Sequence, residues 1–319
     1  MSRLAPRSAW VIVAATALVA AFSLASGASR AVAATVIAPR AFPSPEAAAT
    51  AFVEALRADD LKTMAAILGS SAQRLISSGD PVADNEERER FVKAYDEAHT
   101  LVADGNKMVI QVGKDEWPFP IPLVKTGSQW RFDAHAGQEE LLARRIGKNE
   151  LAAIQVALAI VDAQRDYWRR NPQNASILQY ARKINSTQGQ RDGLYWPGKP
   201  DEEPSPLGPL VAEAQRQGYV GQGTGGKPVP YHGYYFRLLT GQGPEAAGGA
   251  YDYLVRGQMI GGFALVAYPA QWGASGVMTF IVNHDGVVYE KNLGPKTAAT
   301  ADAMKLFNPD STWKKVATP

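Results

Sequence analysis

The sequence predicts an α+β protein in two domains, an N-terminal α+β domain over residues 35–140 and a C-terminal domain over 141–319. Three observations predict it. Apolar residues at helical spacing from residue 45 onward give way, by residue 132, to alternating residues and a hairpin signal. A second long helical stretch follows, and then a series of short apolar runs divided by turn signals. With its leader removed the chain has about 285 residues, which suits two domains.

Residues 1–34 read as a secretory leader. Arg3 and Arg7 form the positive start, an apolar run extends over 10–24, and Ala31-Val32-Ala33 supplies a small-residue cleavage site. No cysteine follows, so a lipoprotein anchor is not expected. Cleavage removes Arg3, Arg7 and Arg30 and no acid, so the formal charge falls from +2 to −1. A nearly neutral chain offers no basic field for nucleic acid. No later apolar run is long enough for a membrane span. Zero cysteines exclude disulfides, thiolate metal sites and cysteine nucleophiles. The core alone must hold the fold, and 10 Phe, 12 Tyr and 7 Trp can supply it.

The elements follow in order. Ser44-Pro45-Glu46 is a helix start, with serine as N-cap and proline at the first helical position. Phe52, Leu56, Met64, Ile67 and Leu68 mark its apolar face across a break at Asp59-Asp60, and Gly69 is a stop. Asp84 is read as preceding a further helix carrying Phe91, Ala94, Tyr95 and Ala98. Residues 108–112 alternate as a strand. Three prolines confine 117–122 to an edge or an extended crossover. Residues 123–124 and 129–132 form a hairpin. This order of helices and curved antiparallel sheet resembles the nuclear-transport-factor-like cone fold.

Residues 139–171 form the longest helical stretch, with Leu151, Ile154, Leu158 and Val161 on one face, Gly147 as a candidate kink and Pro172 as the stop. A short helix is expected over 175–183. Residues 186–230 are irregular apart from a helical piece near 210–217. Four strands, 234–239, 263–268, 277–282 and 287–291, complete a meander, the last pair joined by Asn283-His284-Asp285-Gly286.

The phrases SSGDPVAD (77–84), WPFPIPLV (117–124), RRIGKNELAAIQ (144–155), GLYWP (193–197), SPLGPLVAEA (205–214), YHGYYFRLLTGQG (231–243) and GVMTFIVNHDGVVYEKNLG (276–294) resemble a family of exported bacterial proteins known as domain of unknown function twenty-nine-fifty. The resemblance spans nearly the whole mature chain and implies no activity for any residue. Residues 148–294 also resemble the soluble headgroup of type IV pilins and pseudopilins. The chain lacks the prepilin start that leads directly into an assembly helix, which puts filament formation in doubt.

No catalytic set emerges. His99, His135, His232 and His284 have no metal-ligand spacing, and neither metal nor cofactor is expected. No G-x-S-x-G elbow exists, and Gly273-Ala274-Ser275-Gly276 reads as a turn. The glycine clusters at 221–226, 248–249 and 261–262 lack nucleotide-binding spacing. Asp192 with Asp252, or Asp201-Glu202-Glu203, are candidate carboxylates for acid–base chemistry. Arg144 and Arg145 are candidates for anion binding or an interdomain contact, beside Glu139 and Glu140 as helical-spacing partners. Arg191, Asp192, Tyr195, Trp196, Tyr231 and His232 form the candidate binding set, with Tyr234 and Tyr235 beside it. The alternative is that these aromatics pin the irregular segment to the sheet. The expected function is a non-catalytic periplasmic or extracellular protein that binds an envelope polymer or protein. A carboxylate hydrolase of envelope substrates and a pilus-associated adaptor are the alternatives.

Overall fold

The computed structural model describes residues 38–199, 201–219 and 228–317. The expected leader and the 221–226 glycine cluster lie outside them. Ser44 caps helix α1 (Pro45–Arg57) by accepting the Ala47 N–H at 3.1 Å. The break at Asp59-Asp60 is real. Asp59 takes a left-handed φ of 50°, and Asp60 caps α2 (Leu61–Leu68), which stops at Gly69 with φ 83°. A short α3 (Gln73–Ile76) precedes α4 (Pro81–Glu97). The expected start of α4 at Asp84 is corrected to Pro81. Asp80 is the N-cap, accepting the Ala83 N–H at 3.1 Å, so Asp84 lies inside the first turns.

Strands β1 (His99–Asp104), β2 (Lys107–Val112), β3 (Trp117–Pro118), β4 (Leu123–Thr126) and β5 (Gln129–Phe132) form one antiparallel sheet. The proline-rich run contributes only the two-residue β3, as missing ladder donors require. Phe52, Ile67, Ile110, Ile121, Leu123 and Phe132 belong to one apolar cluster between α1, α2 and this sheet.

Helix α5 (Ala134–Arg170) runs unbroken through Gly147, so the expected kink is absent, and it ends on Asn171 in the left-handed region. Its second half buries Ala153, Ala157, Ile160, Val161 and Tyr167 in a second apolar cluster. That cluster also contains the sheet of β8 (Tyr234–Leu239), β13 (Ala264–Pro269), β14 (Met278–Asn283), β15 (Val288–Asn292) and β17 (Lys314–Lys315), in the order β17-β15-β14-β13-β8. The expected four-strand meander is present and gains β17 at its edge. β13 is buried along its whole length, and α5 and α7 (Thr297–Ala303) both pack on it.

The helix expected over 175–183 does not form. Gln164 on α5 clamps that segment in an irregular path, its amide giving to Ala181 O and accepting from Ala181 N, both at 2.8 Å. Parallel β6 (Lys183–Asn185) and β7 (Gly193–Tyr195) follow, then α6 (Gly208–Arg216). β9 (Gly241–Gln242), β10 (Tyr251–Asp252), the β11 (Leu254–Val255) and β12 (Gln258–Met259) pair, and β16 (Leu306–Phe307) complete the architecture. No helix among the described residues is long and apolar enough to cross a membrane.

Candidate functional site

A cavity of about 800 Å³ lies among α1, α2, α3, α4, the β2–β3 turn and the first half of α5. Its origin is legible in α4. Seventeen residues long, that helix carries the run Asn-Glu-Glu-Arg-Glu-Arg and buries only Asp84 and Tyr95 fully. Its second half packs Phe91, Ala94 and Tyr95 into the first apolar cluster, while its polar first half leaves the space beside it open. The walls are aromatic and aliphatic. Phe52 and Phe119 lie 5.5 Å apart between ring centroids, Phe91 and Phe119 5.0 Å, and Trp117 and Phe119 6.3 Å. Met64, Leu68, Ile76, Ile121 and Leu141 add aliphatic surface.

The rim is charged. Lys114 pairs with Glu97 at 2.7 Å. Arg144 pairs with Glu140 at 2.5 Å and sits 5.8 Å over the Trp117 ring. Arg145 reaches from α5 to three partners: Glu87 at 3.0 Å, Arg74 O at 2.8 Å and Leu75 O at 2.8 Å. Its guanidinium therefore ties α5 to α3 and α4. Lys148, also on the rim, pairs with no carboxylate among the described residues.

Two of the lining residues each bury a polar atom without a partner. Asp84 is 5% exposed; its Oδ2 accepts the Ser78 N–H at 2.9 Å, while Oδ1 has no partner. Burial pushes its carboxyl above the usual carboxylate range, against the lowering pull of the Ser78 hydrogen bonds. One turn on, Arg88 gives Nη2 to Asp59 at 2.7 Å and leaves Nε buried and unpartnered.

Beside the cavity, Asp80 faces a different network. It is fully buried, and its Oδ2 accepts the Gly233 N–H at 2.7 Å and the Tyr219 hydroxyl at 3.0 Å. Burial, and next the Asp80 charge, raises the Tyr219 hydroxyl pKa, which keeps it a donor. Gly233 has φ 75°, and a Cβ there would stand 2.7 Å from Asn149 Nδ2. Asn149 in turn donates to Ser275 O at 3.0 Å, and Glu150 accepts the N–H groups of Val277 and Met278, both at 2.9 Å. Residues from four of the seven quoted phrases or their margins thus meet at one buried junction.

The six residues of the sequence-based binding set fall into two groups that share no hydrogen bond or ring contact among the described residues. Trp196 is 8% exposed, packs edge-on to Tyr167 at 6.5 Å and carries the Arg191 guanidinium 5.5 Å over its ring. Tyr195 lies in β7, half-buried against the second core. Asp192 accepts from Lys183 at 2.8 Å and from Thr187 N at 2.7 Å, and the Lys183 hydrogen bond leads the causes that lower its pKa to about 2. Tyr231 and His232 lie at the Asp80 junction, rings 4.1 Å apart and against Tyr219. Glu202 pairs with Arg191 and Glu203 with Arg170, while Asp252 lies exposed in β10. His284 packs on Tyr253 and Phe263, His99 stacks on Tyr95, and no group of three or more metal-ligating side chains meets among the described residues. Ser275 donates to Gln271 O at 3.2 Å, within the expected turn.

Fold and site together define an α+β protein with a large apolar cavity and a charged rim. The chain belongs to the family described as Protein of unknown function (DUF2950), which matches residues 39–316. No curated protein and no solved structure matches significantly, so neither the nuclear-transport-factor likeness nor the pilin likeness draws support from a known structure.

Proposed function

We propose that this chain is a non-catalytic binding protein of the cell envelope that holds one small amphiphile in the cavity between α4 and the β1–β5 sheet. One observation carries the reading. The cavity, at about 800 Å³, is the size of a small-molecule site, with an apolar wall and a few polar groups. A hydrocarbon portion suits the Phe52, Phe91 and Phe119 cluster, and each buried methylene contributes about 0.8 kcal/mol. The leader at 1–34 supports an envelope location. This ligand differs in kind from the polymer or protein expected from the aromatic loop. Trp196 is largely spent on packing, and Asp192, Glu202 and Glu203 are engaged by cations, which favours binding over carboxylate hydrolysis.

The test is titration of the mature protein with an environment-sensitive apolar fluorophore, N-phenyl-1-naphthylamine. Wild type is expected to bind one probe per chain. Leu141→Trp, which puts an indole into the cavity, is expected to weaken it about tenfold with an unchanged circular dichroism spectrum. Equal binding by both proteins would remove the cavity from consideration.

A further inference from the structure

The charges around the cavity are unevenly placed. Among its lining residues α4 contributes three acids and two cations, and the β2–β3 turn contributes one of each. Helix α5 contributes Leu141, Arg144, Arg145 and Lys148 and no acid. These four stand at i, i+3, i+4 and i+7, so they form one stripe along the helix, apolar at one end and cationic beyond it. Like charges four residues apart on a helix disfavour each other, as Arg144 and Lys148 do here unless an anion answers them. The lining cations differ in what they can spare. Arg88 pairs with Asp59, Arg90 with Glu86 and Lys114 with Glu97. Arg145 is committed to Glu87 and two carbonyls. Arg144 holds Glu140 through a solvent-exposed pair, which is weak and exchangeable. Lys148 is exposed and has no carboxylate partner among the described residues.

Resting on the cavity reading, we propose that the amphiphile carries an anionic head, such as a carboxylate, held at the rim by Lys148 and Arg144 while its hydrocarbon runs past Leu141 toward the Phe52, Phe91 and Phe119 cluster. Charge placement selects this class. An ammonium head would meet the cations of α5 with no acid on that helix among the lining residues. A neutral head gains a hydrogen bond from them but no Coulomb attraction. Lys148 and Arg144 are both exposed, so the head keeps contact with water and its charge is not carried into the apolar interior.

The experiment is displacement of N-phenyl-1-naphthylamine from the protein at pH 7.5 and low salt by decanoate, decanamide and decylammonium, which share a chain and differ in head. Decanoate is expected to bind wild type about fivefold more tightly than decanamide, and decylammonium more weakly than either. Lys148→Gln is expected to weaken decanoate about threefold and leave decanamide unchanged, and Lys148→Gln with Arg144→Gln to abolish the preference between them. Raising the salt should weaken decanoate selectively. Equal affinities, a preference for decanamide or decylammonium, or a preference for decanoate that survives the double substitution would overturn the head assignment and leave the cavity reading standing. So would failure of all three to displace a probe that Leu141→Trp does weaken. Failure of all three, with probe binding unaffected by Leu141→Trp, would overturn both. Should the substituted proteins fail to fold, the wild-type ranking and its salt dependence decide.

Discussion

Replacing Asp80 by alanine removes three hydrogen bonds at once, because one buried carboxylate accepts from the Ala83 N–H, the Gly233 N–H and the Tyr219 hydroxyl. Loss of a helix N-cap costs about 1 kcal/mol. Gly233 is fully buried, so its stranded N–H costs about 1–3 kcal/mol, and the half-buried Tyr219 hydroxyl about 1 kcal/mol. The sum is roughly 3–5 kcal/mol, or roughly 10 °C in Tm for a protein of this size. Asp80→Asn retains one acceptor oxygen and is expected to lose about half as much. Thermal and urea unfolding of the purified protein, followed by circular dichroism, measures both. A double-mutant cycle adds specificity: Asp80→Ala combined with Tyr219→Phe should cost less than the two alone, since the second change removes a group the first has stranded. An Asp80→Ala protein within about 1 kcal/mol of wild type would refute the junction as a source of stability.

Other outcomes follow from the same geometry. Gly137→Ala places a Cβ 2.3 Å from Pro120 O, where the start of α5 crosses the proline-rich run, and should cost about 3 kcal/mol or more in urea unfolding. Arg145→Met strands Arg74 O, Leu75 O and Glu87, and is expected to lower stability by about 2–4 kcal/mol. His232 has its pKa lowered, chiefly by burial, against the opposing Asp80 charge and with help from Lys148. Below the ordinary histidine pKa of 6.5 the unfolded chain takes up a proton that the native state resists, so stability falls as pH drops from 7 toward 5. His232→Asn, which tolerates the left-handed φ of 50°, should flatten that part of the Tm–pH curve. An unchanged slope would rule His232 out as its source.

Much of the fold is legible in local chemistry. Ser44-Pro45 announces α1 through its cap and fixed φ, and Asp285-Gly286 announces the β14–β15 hairpin. Asp80-Pro81 is the same cap-and-proline pair as Ser44-Pro45, and applied consistently it places the start of α4 where it lies. Other features depend on distant partners. Ala-Ser-Ile-Leu-Gln-Tyr-Ala-Arg, residues 175–182, has helix-forming residues, but Gln164 binds Ala181 through both amide atoms and Tyr180 bridges Met259, so tertiary bonds override propensity. β1 is exposed along most of its length, so it carries no alternation; its pairing to β2 shows only in the tight turn at Gly105, with φ 58°.

The candidate site was less legible than the fold. A cavity is a volume that side chains fail to fill, and no single residue announces it. The trace in the sequence is indirect: α4 is helical by capping yet polar over its first half, and Asp84 is an acid among Pro81, Val82 and Ala83. Aromatic richness concentrates at 191–196 and 231–235, where Trp196 packs on Tyr167 and Tyr231 on Tyr219. Arg144 and Arg145, read in the sequence as candidates for anion binding or an interdomain contact, line the cavity.

The most direct measurement is a crystal structure of the protein grown with N-phenyl-1-naphthylamine. The account predicts density for one probe molecule lying among Phe52, Phe91 and Phe119. A cavity filled only by water, or closed by collapse of α4 onto the sheet, would contradict it.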